Sequence, residues 1–140
     1  RVLFRSAASR IEASHDGYVR RFGLAHRRQI ALAADGKELR GEDTLLPAGL
    51  RKATQTVNFA ARFHLAPGVE ATATADGLGA LLRVDGGPLW QFRCRGGALA
   101  IEDSIWIDGR GRPVSTVQLV VSGETPGGGT SLSWVIKRAG

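Results

Sequence analysis

The stretch GGALAIEDSIWIDGRGR, residues 96–112, decides the fold. Leu99, Ile101, Ile105 and Ile107 fall on one side of an extended chain, and Glu102 and Ser104 on the other. That period of two is the signature of a strand with one buried and one wet face. Glycine pairs open the stretch and DGRGR closes it, which brackets the strand with turn chemistry. The same pattern recurs outward in both directions. Phe59, Ala61, Phe63 and Leu65 oppose Asn58, Arg62 and His64, while Leu132, Trp134 and Ile136 oppose Ser131, Ser133 and Lys137. HDG at 15–17, ADG at 34–36 and 75–77, and DGG at 85–87 add further hairpin signals, because glycine supplies the positive φ that tight turns require. No useful length shows helical periodicity, and no capping box leads into an amphipathic run. The pattern predicts an all-β fold, an antiparallel β-sandwich of about ten strands forming a single domain over residues 1–140.

The composition is that of a globular chain, with 43% hydrophobic and 23% charged residues in 140. Absence of methionine suggests a fragment or a processed product. Lysine and arginine total 19 against 13 acids, a formal charge of +6, and all but three of the cations are arginine. The guanidinium fork pairs two-pronged with carboxylate, sulfate or phosphate, so an anionic partner is one reading. The other is that arginine simply serves here as the solvated cation. Cys94 is the only cysteine, excludes an internal disulfide, and lies within the strand-like LWQFRCR, where a buried inert thiol is expected. No apolar run approaches the roughly 20 residues needed to cross a bilayer, so no membrane partner is expected.

Chemistry concentrates in ASHDGYVRRFGLAHRR, residues 13–28, with two histidines, a tyrosine, four arginines and one aspartate. Ile11, Ala13 and His15 alternate onto one face, HDGY turns the chain, and Phe22, Leu24, His26, Arg28, Ile30 and Leu32 share a face after the turn. Arg21, Ala25, Arg27 and Gln29 take the opposite face. Two readings of His26 stand: a core histidine bonded to a backbone carbonyl, or a residue reaching with Arg28 from a concave sheet into a cleft against another domain. His15 and Tyr18 sit at a turn, where functional side chains gather, although a lone tyrosine can equally pack.

Several chemistries are excluded. Two histidines eleven apart without a carboxylate at ligand spacing make no zinc pattern. SHD is not a triad, because neighbours on a strand diverge. Glu102 and Asp103 diverge for the same reason, whereas the pattern does not place Glu12, Asp16 and Glu42, so a converging carboxylate pair among them stays open. The loop GETPGGGTS has no lysine and no helix after it, unlike a phosphate loop. Sparse aromatics without RNP-like or finger spacing give little support to nucleic acid as a partner.

The ordered words ASHDGY…FGLAHRRQIAL, DGKELRGEDTL, FAARFHLAPGVEA and WQFRCRGGALAIEDSIWID resemble the C-terminal β-sandwich of heparinase II/III-like proteins, bacterial polysaccharide lyases, across almost the whole chain. HDGY, HRR, LRGED and RFHL are the most specific of them. The resemblance implies a parent enzyme in which an N-terminal α/α toroid domain carries the catalytic residues. A HADA-like motif at the start of the sandwich serves the active site and often a metal. Neither is present here, so the resemblance carries over no catalytic residue, no metal ligand and no cofactor, although a parent could hold a divalent metal. It implies a periplasmic or secreted protein. The partners implied are an acidic polysaccharide and the toroid. The chemistry is β-elimination at a uronic acid, which needs the C5 carboxylate neutralised and the C5 proton removed. His15, Tyr18, Arg20, Arg21, His26 and Arg27 are the expected substrate-binding residues, in a domain forming one wall of a cleft and inactive alone. The alternatives are a non-catalytic carbohydrate-binding or structural accessory module, and a basic module for protein or nucleic acid.

Overall fold

A computed structural model describes residues 7–50 and 55–139. Ten strands and one helical turn follow in the order β1 (Ala7–His15), α1 (Val19–Phe22), β2 (Leu24–Ala33), β3 (Glu38–Pro47), β4 (Val57–His64), β5 (Val69–Ala73), β6 (Gly79–Val84), β7 (Leu89–Arg95), β8 (Ala98–Ile107), β9 (Pro113–Thr125) and β10 (Thr130–Ala139). They form a seven-stranded sheet in the order β1-β2-β3-β10-β7-β6-β5 and a three-stranded sheet in the order β4-β9-β8. All the strand pairings are antiparallel. The all-β sandwich expected from the period-two pattern is what forms.

The two sheets enclose one core. Phe92, Leu82, Ala80 and Cys94 of the large sheet meet Leu119 and Val121 of the small one, with Leu132 and Trp134 of β10 among them. Phe59, Ala61, Phe63 and Leu65, together with Leu99 and Ile101, pack against this cluster, as their alternation requires. Ile105 and Ile107 share the face of Leu99 but lie beyond the core, 65% and 61% exposed. Burial pushes the Cys94 thiol up, with Arg93 pulling the other way, so this cysteine is no thiolate nucleophile.

Coverage is unequal, and the difference places the site. β8 lies over β5, and the small sheet ends at β4. The inner face of β1 is left open, and Ile11, paired with Ile30, is 68% exposed there. The turn after β1 contains one helical turn that periodicity could not register, since four residues are too few to show a repeat. Gly23 ends it in the left-handed region at φ 69° and returns its N–H to the Val19 carbonyl at 2.9 Å. That cap aims β2 back along β1.

Candidate functional site

The hairpin β1–β2 sets His15 directly opposite His26, and β2–β3 sets Arg28 opposite Asp43. Alternation puts all four on the inner face, where the cover of the small sheet runs out: Asp43 is buried, His26 and Arg28 are half-buried and His15 is exposed. Asp43 is the centre. Its Oδ1 accepts from His26 Nε2 at 2.7 Å and Arg28 Nε at 2.6 Å, and its Oδ2 accepts from Arg28 Nη2 at 3.1 Å and Trp134 Nε1 at 3.0 Å. Burial raises the pKa of this carboxyl, but hydrogen bonds from Arg28, His26 and Trp134 outweigh it, and the net shift is downward. The Arg28 guanidinium also lies 5.9 Å from the Phe63 ring centroid and 6.0 Å from that of Trp134.

The chain of bonds beyond Asp43 has a direction. The Gly17 N–H donates to His15 Nδ1 at 3.2 Å, so neutral His15 carries its proton on Nε2. That proton faces His26 Nδ1 at 3.2 Å, and His26 then carries its own proton on Nε2, toward Asp43. With both rings neutral every partner is satisfied, and neither histidine keeps a free nitrogen. Tyr18 stands edge-on to His15 with centroids 5.1 Å apart, and Phe22 lies 6.4 Å beyond Tyr18. Beside this row is a half-open cavity of about 220 Å³ between α1, β2, β3, β4 and β10.

Three of the six side chains selected from sequence, His15, Tyr18 and His26, therefore come together. Arg20 and Arg21 lie exposed on α1, with the Arg21 guanidinium 5.2 Å from the Phe22 ring centroid. Arg27 does not join them. As the neighbour of His26 it faces the outer side of the large sheet, between Ser14 and Thr44, and its buried Nε has no hydrogen-bond partner. His26 bonds to side chains, not to a backbone carbonyl, although it is partly buried as the core reading supposed. Asp43 and Trp134 were missed. Asp43 lies in the word LRGED, and the signal that could have found it is the register of the β2–β3 hairpin, which sets it opposite Arg28.

Among the described residues, no three His, Cys, Asp or Glu side chains are grouped to hold a metal. His15, His26 and Asp43 form a line in which each bonds the next, so their lone pairs do not converge on one point. These residues do not fit the divalent metal that the family resemblance associates with its parent enzymes.

The sequence matches the family described as heparinase II/III-like, C-terminal, over residues 3–135, and the chain belongs to that family. FtsZ-localized protein C of Caulobacter vibrioides (strain NA1000 / CB15N) is 33% identical over 135 residues, spanning 92% of this chain and 23% of that protein. The solved structure of a heparinase III, the BT4657 gene product, superposes with a TM-score of 0.70 at 13% identity, over 93% of this chain and 19% of that one. That likeness is one of fold. The chain thus spans less than a quarter of either relative.

Proposed function

We propose that this domain forms one wall of a cleft for an acidic, uronate-containing glycan in a longer polysaccharide lyase-like protein, and that it is inactive alone. The observation that carries this reading is the convergence of His15, Tyr18 and His26 on the uncovered end of the sandwich, beside the exposed arginines of α1. Arginine compensates the charge that grows on a uronate as its C5 proton leaves. The bond row ties up both nitrogens of each histidine, which suits positioning better than proton abstraction. The base would then belong to the rest of the parent, an α/α toroid on this reading, in a periplasmic or secreted protein.

The parent-length protein is expected to generate ultraviolet-absorbing unsaturated uronate on an acidic glycan, and this chain alone is expected to generate none. An inert parent on heparan-type and alginate-type polymers removes the reading. For the domain, replacing both Arg20 and Arg21 with Glu should weaken heparin binding about tenfold or more at low ionic strength. Salt elution from a heparin column measures this, and unchanged elution of the folded variant argues against α1 as the contact.

A structural accessory role is the second reading. It is favoured by the saturated histidines and by the similarity to a protein named for localisation with FtsZ. A parent that binds no glycan yet loses stability when this domain is removed would support it.

A further inference from the structure

We propose that the cavity beside the histidine row is a binding site for an uncharged aromatic group. Its walls are apolar: Phe22, Leu24 and Leu45 on one side, Phe59 and Ala61 of β4 on the other, and Leu132 from β10. His26 and Asp43 also line it, and they are what define the ligand. Asp43 already accepts four hydrogen bonds, and both nitrogens of His26 are engaged. A sugar hydroxyl there would find no open partner among these groups, and desolvating it would go uncompensated. A carboxylate would face another carboxylate whose cation, Arg28, is committed in a two-pronged pair. Tyr18, Asn58 and Thr130 also line the cavity, and as uncharged groups they tolerate a hydroxyl or a ring N–H but neutralise no charge.

Size agrees with this chemistry. An apolar cavity of about 150 Å³ already admits benzene. About 220 Å³ leaves room for a bicyclic ring such as indole. Tyr18 and Phe22, whose ring centroids lie 6.4 Å apart, both line the cavity and supply aromatic neighbours for such a ring. The cavity shares Tyr18 and His26 with the proposed glycan wall, but its ligand needs none of the charge that the arginines of α1 bring to that reading.

The test is a titration of the isotope-labelled chain with indole, followed by methyl and aromatic NMR. Saturable shifts are expected at Leu24, Leu45, Leu132 and Phe59, with Kd on the order of 1 mM or tighter. Benzoate and glucuronate should give none. Ala61→Phe fills the cavity from the wall and should weaken indole binding at least about tenfold while leaving heparin elution unchanged. If circular dichroism shows Ala61→Phe unfolded, Val57→Trp at the end of β4 serves in its place. Absence of saturable shifts in the folded protein, equal binding of benzoate, or indole affinity indifferent to the filling variant overturns the proposal.

Discussion

Asp43→Ala is expected to cost about 2–3 kcal/mol of folding free energy, because it strands the buried Trp134 Nε1–H and unpairs the half-exposed Arg28. Its carboxylate accepts from Trp134 Nε1 and pairs two-pronged with Arg28. The carboxylate side chain is only 9% exposed, so water does not replace the lost bonds freely. Urea unfolding measures the loss as a lower midpoint at unchanged slope. A loss below about 1 kcal/mol, the range of exposed pairs, contradicts the arrangement. Wild type carries the same information in its acid limb. The folded-state pKa of Asp43 is depressed, so its contribution is complete above the unfolded value of about 4. It is lost as pH falls through the depressed value. The stability difference between wild type and Asp43→Ala should therefore shrink below about pH 4.

Gly41→Val is expected to be comparably severe, for a steric reason. Gly41 sits opposite Trp134 across β3–β10, and a Cβ there would overlap the six-membered ring of the indole. The neighbour is a rigid buried ring, not a flexible side-chain end. Valine must displace it, breaking the Trp134–Asp43 bond and disturbing the contact of Trp134 with Phe63, whose ring centroid is 5.1 Å away. Overpacking alone costs about 1–3 kcal/mol, and a stranded carboxylate oxygen adds to it. A shifted tryptophan emission maximum together with a lower urea midpoint is the expected result. A variant of wild-type stability would mean that the indole does not rest on Gly41.

Asp43 and Trp134 lie on either side of the limit of what the sequence shows. Strands were readable because the period of two is a local property, and β4, β8 and β10 display it within eight or ten residues. His26 and Arg28 could be assigned to one face for the same reason. Asp43 was within reach too. The β2–β3 hairpin turns at Asp35-Gly36, and extending its register outward from Leu32 opposite Leu39 arrives at Arg28 opposite Asp43. Trp134 was not within reach. It enters from β10, ninety-one residues from Asp43, and no pattern near either residue announces a pairing fixed by sheet order. Arg27 is a different case. The period of two already sets it on the face opposite His26 and Arg28, and only the family word HRR groups it with them; the structure keeps it on that other face.

The position of β10 between β3 and β7 has a consequence for biogenesis. The N-terminal ribbon β1-β2-β3 and the meander β5-β6-β7 can each zip from nearby turns, yet they share no ladder until β10 arrives. A nascent polypeptide emerging from the ribosome therefore carries two half-sheets with naked borders along β3 and β7. Both remain templates for mispairing until that strand inserts as a keystone. Quality control of this module should accordingly be most sensitive to lesions in residues 130–139, where a single slipped strand leaves the halves unjoined.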